Sequence, residues 1–312
     1  MNATAGPRLC IALPTRNRCE LAAQALESVL PQLQDGDELV VVDSASDDGT
    51  GARIGELLAR REHAARVIFE PLGGVSRARN LALAHTDAPI VCFFDDDELV
   101  DSHWVENLRT AWRGAPADVA VIGGPIRPQW DTRRPNWLRD DMLYVLSLLD
   151  LGPDRLELDQ APRVGYVWGG NMTVRREAAL SVGGFDELLG VSPAAPLGRG
   201  EEEDFQRRLA SSGWQVWYEP STVVHHQLPT ARTTPQYFRL AFREAARGAA
   251  NRGMSRRIAS VRLASSLARL AAALLRLRRD EVTRTSFRVA YAWTLLTSRR
   301  VRWNTLQRSS EG

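Results

Sequence analysis

The chain has 312 residues, 44% of them hydrophobic and 25% charged, and it carries a formal net charge of +2. It contains no lysine, which excludes a phosphate-binding loop of the GxxxxGK(S/T) type. Its three cysteines lack the spacing of a zinc site or a disulfide framework. With no signal peptide and no uncharged apolar run of about 18 residues, we expect a protein with a sizeable core in the reducing cytoplasm.

Apolar runs and amphipathic segments alternate regularly over the N-terminal third of the chain. In chain order we predict a strand at 10–15, a helix at 20–30, a strand at 39–42, a helix at 52–61, a strand at 66–70, a helix at 75–85 and a strand at 90–94. This alternation indicates a mostly parallel, doubly wound α/β sheet flanked by helices. Ligands bind such sheets beyond the carboxyl ends of the strands.

Two of these predicted strands end in acidic residues. They are Asp43, after the run 39–42, and Asp95, Asp96 and Asp97, after the run 91–94. Three adjacent carboxylates beside a core repel one another unless a cation lies among them. A hard divalent cation with oxygen ligands removes that cost, and it commonly also binds phosphate oxygens. The second strand end therefore predicts a site for a metal and a diphosphate.

Simpler interpretations of both acidic segments exist. Residues 95–97 could be a solvated loop, and Asp43 could cap a helix or close a turn. No glycine-rich dinucleotide pattern follows the first strand, so a nicotinamide or flavin site loses support.

Eight sequence segments stand in an order that is typical of one enzyme family. They are ALPTRNR, VVVDSASDDGT, GGVSRARNLAL, FFDDDE, GGNMTVRREA, VGGFDE, GEEEDFQRRL and WYEPSTVVHHQLP. Over residues 8–226 this ordered set resembles the family-2 inverting glycosyltransferases of the GT-A fold. The resemblance implies that a sugar moves from a nucleotide-sugar donor to a hydroxyl acceptor.

The resemblance also implies which residues bind the donor. The nucleotide-sugar-binding residues would be Pro14, Thr15, Asn17, Asp43, Arg79, Asn80, Asp95 and Asp96. Among these, Asp43 would contact the nucleobase and Asp96 the ribose, while Arg79 and Asn80 would flank the diphosphate. Asp97 would bind Mg²⁺ or Mn²⁺, and the cation and the guanidinium groups would stabilise the charge of the leaving diphosphate.

An inverting transfer needs a carboxylate that removes the proton of the acceptor hydroxyl. Aligning the segment 200–209 with the family pattern places Glu202 at the position of this base, with Asp204 as the second candidate. This sequence has glutamate where the family more often has aspartate. The simpler interpretation is an acidic first turn that favours the positive end of a helix.

Two further groups follow from the resemblance. His226, near the end of a predicted strand at 223–226, takes the position of a second metal ligand, with a structural histidine as the alternative. Trp168, Gly170 and Asn171 would contact the acceptor. The Pro- and Gly-rich stretch 191–200 is typical of a loop that orders when a donor binds.

The C-terminal part of the chain differs in charge from the rest. Residues 227–312 hold 18 arginines against four acidic residues, a net charge of +14, which leaves −12 for residues 1–226. Arg262, Arg269 and Arg276 recur every seven residues among leucines, and a second helix is predicted at 285–297. These helices could contact an anionic membrane surface, pack on the acidic catalytic domain, or form a homodimer.

The sequence therefore predicts a GT-A catalytic domain at 1–226, with a nucleotide-binding half at about 8–100 and an acceptor and base half at 101–226, followed by a basic helical extension at 227–312. The predicted activity is a metal-dependent inverting transfer, with a UDP-sugar as donor and a glycan, a lipid-linked saccharide or a small natural product as acceptor. A sugar nucleotidyltransferase and an inactive sugar-nucleotide-binding scaffold are the alternatives. We expect a cytoplasmic protein, peripheral at the inner membrane face if the extension binds lipid, and no nucleic-acid partner.

Overall fold

The computed structural model describes residues 6–59, 64–158, 165–195, 198–251 and 255–298. The chain forms two compact units, one from residues 1–131 and 146–228 and the other from residues 132–145 and 229–312. The sequence assigned 132–145 to the catalytic domain. These residues belong instead to the second unit, because Trp137 packs against aromatic side chains of its helices.

The first unit is built on two sheets. The strands are β1 (Leu9–Thr15), β2 (Glu38–Asp43), β3 (Ala64–Phe69), β4 (Ile90–Phe94), β5 (Glu98–Val100), β6 (Val119–Gly123), β7 (Ile126–Trp130), β8 (Leu156–Glu157), β9 (Asn171–Arg175), β10 (Gln215–Tyr218) and β11 (Val224–Leu228). Eight of them form the large sheet, in the order β3-β2-β1-β4-β9-β6-β10-β8. The other three form a small sheet, in the order β5-β11-β7.

The centre of the large sheet explains why the acidic residues meet. Every residue of β2 and β4 is buried, as expected for continuous apolar runs covered on both faces. β1 lies between these two strands and runs parallel to both. The carboxyl ends of all three strands therefore lie side by side, with Thr15 opposite Asp43 in the register.

The helices complete the predicted α/β arrangement. They are α1 (Cys19–Val29), α2 (Thr50–Leu58), α3 (Val75–Ala84), α4 (Trp104–Gly114), α5 (Arg176–Ser181), α6 (Glu201–Ser211), α7 (Pro235–Asn251), α8 (Arg256–Leu275) and α9 (Arg279–Thr297). In α1 the buried residues Ala22, Ala25, Leu26 and Val29 follow the helical period. A 3-10 turn that contains Pro31 ends the helix.

The small sheet places β11 next to the segment that follows β4. β11 pairs antiparallel with β5, so that His226 lies opposite Glu98. It pairs parallel with β7 on its other side. Because neighbouring residues of a strand point to opposite faces, only one of the two histidines of β11 can face Asp97, and that residue is His226.

The second unit is helical. Helices α7, α8 and α9 enclose a small apolar cluster formed by Ala246, Ala250, Ala259 and Leu295. The ring of Trp137 lies 4.9 Å from that of Phe238 and 5.4 Å from that of Phe287. These two contacts place the Trp137 ring in an aromatic cluster of the second unit. The predicted C-terminal helical extension is thus present, as α8 and α9 in particular.

Candidate active site

Arg18 joins the two aspartates that were predicted to bind the ribose and the metal. Its guanidinium Nη1 lies 2.5 Å from an Asp96 carboxylate oxygen and 2.8 Å from an Asp97 carboxylate oxygen. Partial burial alone would lower the pKa of Arg18, but the two carboxylates raise it, so the guanidinium stays charged. Burial raises the pKa of Asp96 to about 6 against the opposing attraction of Arg18.

This arrangement has the character of a cation site. The two carboxylates converge on one positive group, and hard divalent cations prefer such oxygen ligands. Within the described ranges, no group of three or more His, Cys, Asp or Glu side chains is gathered in a form that could hold a metal ion. A cation held here would be bound by one or two carboxylates and shared with phosphate oxygens.

Two further residues lie against Asp97 and its neighbours. His226 Nε2 lies 3.4 Å from Asp97 Oδ2, and the imidazole is almost completely buried. Glu98 is also buried, and it accepts a hydrogen bond from the Asp95 N–H at 3.2 Å. Burial, with repulsion from Asp95 and Asp97, raises the pKa of Glu98 well above its ordinary value. Glu98 therefore gives up its proton less readily than an exposed glutamate does.

The predicted base- and ribose-binding residues surround the end of β1. Thr15 donates its hydroxyl hydrogen bond to Asp96 at 2.8 Å. Asn17 has a positive φ of 52° and accepts a hydrogen bond from the Asp47 N–H at 2.9 Å. Pro14 lies one residue before the end of the strand. Asp43 accepts a hydrogen bond from the Ser46 N–H at 3.0 Å. This hydrogen bond closes a turn, as the alternative interpretation of Asp43 predicted.

Glu202, the predicted base, lies in the first turn of α6 and is held on two sides. The Gly169 N–H donates to its Oε1 at 3.2 Å, and Arg79 Nη1 lies 3.5 Å from the same oxygen. Gln206, one turn further along α6, exchanges two hydrogen bonds with the main chain of Val167, at 2.9 and 2.8 Å. This exchange fixes the segment that carries the Gly169 N–H.

Arg79 connects the end of β4 with the start of α6. Its guanidinium is 2% exposed and lies 3.7 Å from an Asp95 oxygen and 3.3 Å from a Glu201 oxygen, in addition to Glu202. Gly169 is required beside it, because a side chain at that position would overlap the guanidinium. Arg79 therefore contacts the predicted base and its neighbour, and on the donor side it reaches Asp95.

Glu201 belongs to a cluster that holds more acidic than basic groups. One guanidinium cannot neutralise the three carboxylates of Asp95, Glu201 and Glu202. Burial and repulsion by Glu202 raise the pKa of Glu201 to about 8, although Arg79 opposes the shift. Glu201 Oε2 has no hydrogen-bond partner among the described residues. When Glu201 is neutral, the positive charge of Arg79 has to balance only the carboxylates of Asp95 and Glu202.

The raised pKa of Glu201 predicts how stability depends on pH. The folded state keeps a proton that the unfolded state loses above the ordinary pKa of 4.5, so the free energy of unfolding should fall as pH rises from that value to about 8. The slope can reach about 1.4 kcal/mol per pH unit. Glu201→Gln should remove the part of this slope that comes from Glu201 and leave the part that comes from Asp96 and Glu98, and urea unfolding across that pH range would measure the difference.

The exposed neighbour Glu203 supplies the matched control for that experiment. Glu203→Gln should keep the pH slope of the unmodified protein. Parallel stability profiles for the Glu201→Gln variant and the unmodified protein would show that Glu201 is ionised in the folded state.

Two predicted residues have side chains that are engaged elsewhere. Asp204, the second base candidate, pairs with Arg207 at 2.6 Å and with Arg208 at 2.8 Å, so both of its oxygens are occupied by cations. Asn80 donates to the Phe185 carbonyl at 2.9 Å and accepts from the Phe185 N–H at 2.8 Å. The geometry thus favours Glu202 over Asp204 as the base. Asn80 has a structural contact, and its predicted role in donor binding stays a prediction.

The predicted acceptor residues divide into two kinds. Asn171 is 1% exposed, and its carboxamide donates to the carbonyls of Pro125 and Thr222 and accepts from the Trp104 indole. That Asn171 contacts an acceptor stays a prediction, which these internal hydrogen bonds do not support. Its carboxamide instead holds neighbouring segments together.

Trp168 and Gly170 remain candidates for the acceptor side. The Trp168 indole is half-buried and donates to the Leu148 carbonyl at 3.3 Å. Gly170 is covered by the Glu98 carboxylate so closely that a side chain there would overlap it. The main chain between these two residues carries the N–H that binds Glu202.

Two residues of this region, Arg18 and Glu98, have no role that the sequence predicted. Arg18 lies three residues after the end of β1 at Thr15, and this position close to a strand end was the signal that could have identified it. In the sequence, Glu98 could not be distinguished from the acidic residues 95–97 that precede it. Only its burial separates it from a solvated carboxylate.

Comparison with known proteins identifies the family. The protein-family model described as Glycosyl transferase family 2 matches residues 10–183 of the sequence. The Glucosyl-dolichyl phosphate glucuronosyltransferase of Haloferax volcanii is 24% identical over 237 residues, which cover 76% of this chain and 73% of that protein. The Succinoglycan biosynthesis protein ExoM of Rhizobium meliloti is 29% identical over 167 residues, covering 53% of this chain and 48% of ExoM.

Solved structures agree in fold. The mannosyltransferase PcManGT from Pyrobaculum calidifontis, in complex with GDP-Man and Mn²⁺, superposes with a TM-score of 0.58 at 21% identity over 97% of this chain and 89% of that one. S. aureus TarS 1-349 in complex with UDP-GlcNAc superposes with a TM-score of 0.54 at 18% identity, over 77% of this chain and 65% of that one.

The match with the family model covers more than half of the chain, and the neighbours confirm the predicted GT-A-type fold. The resemblance seen in the ordered sequence segments is confirmed with it. The chain is a glycosyltransferase and belongs to glycosyltransferase family 2.

Proposed function

We propose that this protein is a metal-dependent inverting glycosyltransferase that moves a sugar from a UDP-sugar to an acceptor hydroxyl. One observation carries the proposal: Arg79 links Asp95, at the end of β4, to Glu202, at the start of α6, over 3.7 and 3.5 Å. A leaving diphosphate at the strand end and an attacking hydroxyl at the helix would then meet in one crevice, as a direct displacement requires.

The donor would bind across the carboxyl ends of β1, β2 and β4. The base and ribose would lie against the residues that surround the end of β1, namely Pro14, Thr15, Asn17, Asp43 and Asp96. Asp97 and His226 would hold the divalent cation, which supplies positive charge for the leaving diphosphate. An imidazole ligand suits Mn²⁺ better than Mg²⁺, and PcManGT was solved with Mn²⁺.

The chemical step rests on Glu202. Its carboxylate would accept the proton of the acceptor hydroxyl while the hydroxyl oxygen attacks the anomeric carbon and the bond to the diphosphate oxygen breaks. Attack from the face opposite the leaving group inverts the anomeric centre. The Gly169 N–H and Arg79 orient the carboxylate, and a protonated Glu201 beside it keeps the negative charge on the residue that must act as the base.

The acceptor would enter beside Trp168, whose indole offers a flat apolar surface next to the segment that holds Glu202. A lipid-linked saccharide agrees with the name of the Haloferax volcanii relative, a Glucosyl-dolichyl phosphate glucuronosyltransferase. We infer an acceptor of this class, whose hydroxyl is presented by a sugar.

A thermal-shift comparison tests the donor. UDP and UDP-sugars should raise the melting temperature in the presence of Mn²⁺ and not in the presence of a chelator, because a ligand that binds only the folded state stabilises it by mass action. GDP and its sugars serve as the matched comparison. A shift only with GDP compounds would replace the UDP assignment, and slow UDP-sugar hydrolysis would exclude an inactive scaffold.

A further inference from the structure

The turn between α8 and α9 exposes apolar side chains that a water-soluble surface does not favour. Leu274 is 55% exposed, Leu275 is 86% exposed and Leu277 is 87% exposed. Scattered exposed leucines are ordinary, but adjacent ones on a single turn form a contiguous apolar patch. We name residues 274–279 the Leu/Arg tip.

The backbone of the Leu/Arg tip adds a second observation. Leu277 has a φ of +52°, a conformation that glycine adopts easily and a bulky side chain rarely does. Its N–H donates to the Leu274 carbonyl at 3.0 Å, which closes the turn. A glycine would close this turn with less strain and less exposed apolar area, so neither the backbone of the turn nor packing against the described residues accounts for a leucine here.

Arginines alternate with these leucines. Arg276, Arg278 and Arg279 are all exposed. Arg278 lies 3.6 Å from Glu281, whereas Arg276 and Arg279 form no ion pair with any described residue. Apolar side chains between unpaired guanidinium groups match the chemistry of an anionic lipid surface, whose acyl chains accept leucine and whose headgroups accept arginine.

The rest of α8 continues the same surface. Ala259, Ser266 and Ala273 are buried on one side of the helix, whereas Val261 is 70% exposed and Leu267 is 47% exposed. The stretch Arg257–Leu275 has a mean hydropathy of 1.5 with only 17% of it buried, and by length and composition it could cross a membrane. Arginines within the stretch oppose a full crossing, because each is costly at the bilayer centre.

We propose that the Leu/Arg tip docks the protein on an anionic membrane surface, with its leucines at the boundary of the acyl chains and its arginines among the headgroups. A second copy of the chain is the weaker occupant, because a symmetric contact through the tip would bring like-charged arginines together. The proposal is independent of the donor and of the chemistry at Glu202.

The test is co-sedimentation of the full chain with vesicles of phosphatidylcholine alone or mixed with phosphatidylglycerol, at low and high salt. We expect binding only to the anionic vesicles and release by salt. Leu277→Glu should reduce the bound fraction by about tenfold or more, because it removes apolar contact and adds a like charge. Arg276→Gln with Arg279→Gln should weaken binding by roughly fivefold per arginine.

Leu180→Glu is the matched control, because Leu180 is a leucine of α5 that is 47% exposed and the change adds the same charge. It should bind vesicles as the unmodified protein does. Absence of vesicle binding, or equal binding by the Leu277→Glu and Leu180→Glu variants, would overturn the proposal. So would light scattering that shows a dimer of the unmodified protein and a monomer of the Leu277→Glu variant. Nucleotide-dependent thermal shifts should be equal in all variants, which separates this test from that of the proposed function.

Discussion

Replacing Glu202 by glutamine is expected to lower turnover by roughly two to four orders of magnitude, the usual contribution of general base catalysis. The amide keeps the shape of the side chain but cannot take the proton of the acceptor hydroxyl. Donor binding should persist, because the contacts proposed for the nucleotide involve the ends of β1, β2 and β4. Turnover measured with saturating donor, together with calorimetry of donor binding, separates the two effects.

The first turn of α6 provides both controls for this variant. Glu203→Gln alters an exposed carboxylate of the same turn and should leave transfer unchanged. Asp204→Asn removes ion pairs with Arg207 and Arg208 and should affect stability more than chemistry. If the Glu202→Gln variant kept near-normal transfer and the Asp204→Asn variant lost transfer, Asp204 would be the base.

Asp97→Ala is expected to abolish the metal-dependent part of donor binding. Even residues that only support a metal ligand typically contribute about 10- to 100-fold to affinity, so loss of a ligand should cost at least about 100-fold. The fold should survive, because Arg18 keeps its ion pair with Asp96 at 2.5 Å and one carboxylate fewer reduces the repulsion. Calorimetry of UDP binding with Mn²⁺ and with a chelator measures the difference.

Asp87, at the opposite end of β4, is exposed and gives the control variant Asp87→Ala. It should bind UDP with Mn²⁺ like the unmodified protein. Unchanged Mn²⁺-dependent affinity in the Asp97→Ala variant would show that the cation is held by other residues. Circular dichroism of both variants would confirm that neither result comes from unfolding.

The order of strands and helices over residues 9–94 was accessible from the sequence, because the signals are local. Continuous apolar runs predicted β2 and β4, and the 3.6-residue period predicted α1 and α3. The carboxyl ends of parallel strands meet at one edge, so the sequence could also place Asp43 and Asp96 near one another. The ordered motifs added the family, which the family match confirms.

The tertiary structure decided which charged side chains meet. Arg18 and Asp96 are 78 residues apart, and Arg79 and Glu201 are 122 residues apart; no periodicity of the sequence encodes either pair. The strand β9 carries Asn171 into the interior between β4 and β6, where its carboxamide forms hydrogen bonds that the motif did not predict. Whether a carboxylate is buried depends on what packs over it, and this burial separates Glu201 from the exposed Glu203 two positions later. Sequence thus determined the fold and the residue types at the strand ends, whereas their pairing and protonation required the packed chain, because both depend on distances between segments remote in sequence.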